Sequence, residues 1–101
     1  MTGKLPWIFR FLLSGTDCDD LTRQELRDEL RTLIPGLVDV NILPVNRALQ
    51  IDIEMAALSH YDWEAYEPYL IDHILGPTAR RFSGRAGGEP EITPLRARSR
   101  R

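Results

Sequence analysis

Val38-Asp39-Val40-Asn41-Ile42 and Leu49-Gln50-Ile51-Asp52-Ile53-Glu54-Met55 each alternate between apolar and polar residues along their length. A two-residue period sends successive side chains to opposite sides of a pleated strand, so both runs read as strands with one face buried and one in water. Between them Pro44-Val45-Asn46 marks a reversal of the chain. It lacks the Asn-Gly or Asp-Gly of a tight two-residue hairpin, which predicts a connection of three to five residues. The α+β reading of the chain rests on this pair, and would not survive if residues 38–55 were helical.

Upstream of the hairpin the period changes to that of a helix. Leu26, Leu30, Leu33 and Ile34 fall at i, i+4, i+7 and i+8, one apolar face, with Arg23, Arg27, Asp28, Glu29 and Arg31 outside it. Thr22 and Glu25 have the spacing of a capping box, and Leu21 and Leu26 that of the hydrophobic staple around it. Pro35-Gly36 ends the helix. Further upstream, the nearly continuous run from Leu5 to Ser14 (Trp7, Ile8, Phe9, Phe11, Leu12, Leu13) predicts a strand in the middle of its sheet.

Downstream, residues from Asp62 to about Leu75 bring Trp63, Tyr66, Leu70 and Ile74 to one side at helical spacing, with Asp62 as the N-cap. Pro68 breaks a helix interior but suits a first turn. A short turn at 62–66 followed by a helix from Glu67-Pro68 is therefore expected, with one kinked helix as the alternative, and Gly76-Pro77 closes either. Beyond Phe82, Ser83, Gly84, Gly87, Gly88, Pro90 and Pro94 predict a flexible tail. A short strand at Glu91–Leu95 would complete a ferredoxin-like β-α-β-β-α-β order, with Pro94 confining it to an edge. The expectation is a two-layer α+β sandwich over residues 1–82, an antiparallel sheet with two helices on one face, and an arginine-rich tail over 83–101.

The 101 residues suffice for one domain. No apolar stretch is long enough to span a bilayer, and the run near Leu5–Leu13 lacks the cleavage site of an export signal. A single cysteine, Cys18, cannot form an internal disulfide, which suits a reducing, cytoplasmic setting. The net charge of −2 conceals an asymmetry: residues 1–78 hold six basic and thirteen acidic side chains, and residues 79–101 hold seven arginines and two glutamates. The body is acidic and the tail basic.

Arg80, Arg81, Arg85, Arg96, Arg98, Arg100 and Arg101 are candidate contacts for phosphate or for an acidic partner, because guanidinium groups donate in pairs and release condensed counterions. Nucleic acid is one such partner. Few aromatic residues interrupt the arginines, so binding would be weakly selective for sequence. Tyr61, Trp63, Tyr66 and Tyr69 are candidates for a partner-binding surface, against the plainer reading that Trp63 and Tyr66 are core and the other two its margin.

Asp17-Cys18-Asp19-Asp20 gathers three carboxylates and a thiol, but its spacing matches no established metal cage, and Asp19 or Asp20 more simply complements the positive end of the next helix. His60 and His73 share no motif with Cys18. No glycine-rich phosphate loop, paired-cysteine zinc site or serine elbow is present. Neither catalysis, a cofactor nor a metal is therefore expected. The function expected is that of a non-enzymatic interaction or regulatory module that binds another protein or itself as a homodimer, with nucleic-acid association through the arginines as the alternative.

Overall fold

The computed structural model describes residues 7–55, 63–82 and 90–95. Within these the elements run β1 (Trp7–Ser14), α1 (Asp20–Leu33), β2 (Leu37–Val45), β3 (Ala48–Met55), α2 (Trp63–Tyr69), a π-helical segment (Leu70–Leu75), α3 (Gly76–Phe82) and β4 (Glu91–Leu95). The protein is α+β. The four strands among the described residues form one antiparallel sheet in the order β2-β3-β1-β4, and no helix among those residues is long and apolar enough to cross a membrane.

The alternation of the hairpin strands sets which side of the sheet is buried. Phe9, Phe11 and Leu13 on β1 lie opposite Ile53, Ile51 and Leu49 on β3, and Val40 on β2 lies opposite Ile53. All seven are buried, and they share a core with Leu26, Leu30 and Ile34 from the first helical region and Leu70, Ile74, Leu75 and Ala79 from the second. The helices thus cover one face. On the other face Arg10, Gln50, Asp52 and Glu54 are half-buried and Asn41 and Leu43 exposed. β1 is central as expected, but its apolar residues Ile8 and Leu12 look out on this second face and are only partly covered.

The hairpin closes more tightly than its sequence suggests. Val45 pairs with Ala48, leaving Asn46 and Arg47 as a two-residue turn with φ of 47° and 66°. Two consecutive left-handed residues match the twist of the flanking strands, and asparagine tolerates that conformation well, whereas arginine does not.

α1 begins a turn before the expected capping box. Its N-cap is Asp19, and the Arg23 N–H donates to the Asp19 carbonyl at 3.0 Å as the first helical bond. Thr22 therefore stands inside the first turn. Leu21 is 61% exposed, so the staple does not form. At the far end Leu33 is 41% exposed, and Ile34, already extended, takes the inward position.

The second helical region departs furthest from expectation. α2 begins at Trp63 and carries Pro68 within it, and the π-helical segment and α3 follow without a break, so Gly76-Pro77 does not end the helix. The widened turn explains how. The Gly76 N–H donates to the Ile71 carbonyl, five residues back, and proline at 77 removes a donor from a stretch that is already out of the ordinary i to i−4 pattern. The same widening draws the Ile71 carbonyl so close that a Cβ on residue 76 would stand 2.9 Å from its oxygen. Glycine is required there by space, not by φ.

Glu91–Leu95 forms β4, antiparallel to β1, with Ile92 opposite Leu13 and Pro94 opposite Phe11. These five residues belong to the sheet and not to a tail, and Pro94 sits on an edge strand, where a missing N–H does least harm. The stretches 83–89 and 96–101 lie outside the described residues.

Candidate interaction surface

The charged residues of α1 divide by flank. Leu26 and Leu30 face the core; at 100° per residue, Arg23, Arg27 and Arg31 fall in a row on one side of that stripe, with Glu25 and Glu29 on the other. The structure places the basic row beside β2. Asp20, Arg23, Gln24 and Arg27 line a cleft of about 220 Å³ with Asn41 and Ile42 of β2, and Arg31 Nη2 reaches Asp39 Oδ1 at 3.5 Å. The acidic row faces α3, where Arg81 pairs with Glu29 and Phe82 closes a second cleft with Glu25, Asp28 and Thr32.

Two of the three arginines in the row are engaged. Arg23 donates to the Cys18 carbonyl at 2.9 Å and pairs with Asp20. Arg31 holds Asp39 at a distance where an exposed pair contributes little, and Asp39 also accepts from the Val40 N–H at 2.9 Å. Arg27 is exposed and has no carboxylate partner among the described residues.

β2 itself is an end strand of the sheet, paired only with β3 among the described residues. An end strand presents main-chain donors and acceptors to whatever lies beside it. A register irregularity between Leu37 and Asp39 interrupts the strand at its start, and Pro44 lacks a donor near its finish, so the regular edge is Val40–Leu43. Val38 and Leu43 are 55% and 50% exposed.

Of the aromatic candidates, Tyr66 is partly buried and sits 5.8 Å from Phe9 of β1, ring centre to ring centre. Tyr69 is exposed and stacks on Tyr66 at 5.4 Å and on His73 at 4.8 Å. A ladder of rings thus leads from the core to the surface. It rests on a central strand and is separate from the β2 edge. Tyr61 lies outside the described residues, and Trp63 opens α2 with its side chain outside them.

Of the arginine candidates, Arg80 and Arg81 lie in α3, where Arg81 pairs with Glu29. Arg85, Arg96, Arg98, Arg100 and Arg101 lie outside the described residues, as does His60. In the acidic loop, Asp19 occupies the N-cap position of α1, Asp20 pairs with Arg23, and the Cys18 Sγ stands 3.7 Å from the Thr16 carbonyl. Among the described residues no group of three or more His, Cys, Asp or Glu is arranged to hold a metal ion.

The row of arginines was legible in the sequence as an i, i+4, i+8 repeat, but a helix wheel alone does not say what its flank adjoins. That depends on α1 packing over β2. No known family, curated protein or solved structure matches this chain.

Proposed function

We propose that this protein is a non-enzymatic interaction module that binds an extended segment of another polypeptide by adding it as a strand beside β2. The observation that carries this reading is the position of β2 at the end of the sheet, with a regular stretch, Val40–Leu43, that has no strand on its outer side among the described residues. An added strand gains main-chain hydrogen bonds from the edge and specificity from pockets met by alternate side chains. A second copy of the chain is one source of such a strand. The order of elements, with sheet order β2-β3-β1-β4, supports describing the architecture as a ferredoxin-like variant whose second helix is split by a π-helical segment. Fold alone assigns no function, and the reading rests on the edge.

Selection of displayed random peptides against the immobilised full chain, followed by amide chemical-shift mapping, tests it. Extended peptides whose shifts fall on residues 40–43 are the expected result. Binders that form helices, or that perturb only the Tyr66-Tyr69-His73 ladder, would overturn it.

A further inference from the structure

We infer that the segment received by β2 is acidic, with a carboxylate side chain directed at Arg27 and a second at Arg23 or Arg31. The inference rests on the strand-addition reading and specifies its ligand.

The argument is one of matching periods. Residues four apart on a helix rise by about 6 Å, and residues two apart on a strand by about 6.8 Å. Arg23, Arg27 and Arg31 therefore advance along α1 at nearly the step with which the inward-facing side chains of a strand beside β2 advance. An incoming strand lies about 4.8 Å outside β2, and every second side chain on it points to the layer that holds α1. Over three residues of each set the mismatch is under about 2 Å, which flexible arginine side chains absorb.

The charges nearby decide the sign of the ligand. Asp20 and Asp39 offset Arg23 and Arg31, and both pairs are accessible to solvent. Arg27 stands between them, exposed and without a carboxylate among the described residues. The other three acidic side chains of α1, Glu25, Asp28 and Glu29, line the cleft closed by Phe82 of α3, where Glu29 also pairs with Arg81. A basic strand would meet unopposed Arg27; an acidic one would complete the row.

The test uses the ¹⁵N-labelled full chain and synthetic eight-residue peptides that alternate threonine with glutamate, glutamine or lysine. The glutamate peptide should shift the amides of residues 40–43, bind about fivefold or more tightly than the glutamine peptide, and weaken as salt is added. Methylating one alternate set of its amides should abolish binding and methylating the other should not, because only one set faces β2. Arg27→Glu, on an exposed helix position, should reverse the preference toward lysine; circular dichroism checks that this variant is folded, and Arg27→Gln serves if it is not, with loss of the glutamate preference expected. If the glutamine peptide binds β2 as well as the glutamate peptide does, the acidic ligand is wrong and strand addition stands. If no peptide of the set shifts residues 40–43, both fail.

Discussion

Arg10 and Asp52 stand directly opposite each other on β1 and β3 and join by two hydrogen bonds, Nε to Oδ1 at 2.8 Å and Nη2 to Oδ2 at 3.1 Å. The pair lies on the sheet face opposite the helices, with Ile8 and Leu12 on either side of Arg10 along β1. The hydrogen bond to Asp52, and then its charge, hold the Arg10 guanidinium above its usual pKa. Because Arg10 is 42% exposed, solvent screens much of this, and a double-mutant cycle with Arg10→Met and Asp52→Leu should give a coupling of about 0.5–1 kcal/mol in urea unfolding. Removing both charges also joins the apolar residues of the face. The double variant should show a higher mass in light scattering than the unsubstituted chain while retaining most of its stability; an unchanged mass would show that the pair does not guard this surface.

Gly76→Ala should destabilise the protein although alanine is the better helix former by about 1 kcal/mol. The added methyl would enter the space of the Ile71 oxygen, a main-chain atom held by the π-turn. A net loss of about 1–2 kcal/mol is expected from the midpoint of urea unfolding, and a gain in stability would show that the turn relaxes readily to ordinary α-helix.

Arg47→Gly should raise stability by about 1 kcal/mol, the strain of a side-chain-bearing residue at φ 66° less the entropy glycine loses on folding. It would also create the Asn-Gly pair favoured in such turns. Arg47→Val, β-branched, should lower the thermal midpoint. Equal midpoints for the two variants would contradict the turn geometry.

Thr78 is 1% exposed, and its Oγ1 has no hydrogen-bond partner among the described residues. Burying a hydroxyl unpaired costs free energy that a methyl of the same size does not. Thr78→Val should therefore stabilise by about 1 kcal/mol, and Thr78→Ser should not. Differential scanning of the three proteins reads this order directly.

Asp19 is held below the ordinary carboxylate value of 3.8, chiefly by the Thr22 side chain and also by main-chain N–H groups at the start of α1 and by Arg23. A carboxyl depressed on folding contributes stability that is complete above its unfolded pKa and disappears as the pH falls through the lower folded value. An NMR titration should accordingly place the Asp19 midpoint below 3.8, and Thr22→Val should move it upward. A midpoint that ignores the Thr22 substitution would remove Thr22 as the principal cause.

How the elements were readable follows from the range of the forces that make them. The alternation at 38–42 and 49–55 identifies strands because burial on one face is a two-layer constraint repeated at every second residue. Leu26, Leu30 and Ile34 identify α1 in the same way at the helical period. The start of α1 was harder, since Asp19 and Thr22 are both good N-caps and local chemistry does not choose between them. The second helical region follows the alternative of one helix running through Pro68 and not the turn followed by a new helix, and its end was misread at Gly76-Pro77, for a related reason. Each proline is a breaker in isolation, but burial of Leu70, Ile74, Leu75 and Ala79 against the sheet outweighs the lost hydrogen bonds, and the π-turn takes up the misfit.

By itself, then, the sequence determined the class of the protein, its central first strand and the faces that turn inward, because these depend on periodic contrasts between neighbours in the chain. The tertiary structure alone decided that Glu91–Leu95 forms one end strand beside β1 with β2 at the other end, and that Arg23, Arg27 and Arg31 lie beside β2. Strand order and the neighbours of a helix flank arise from packing between segments far apart in the chain, and no local period encodes them.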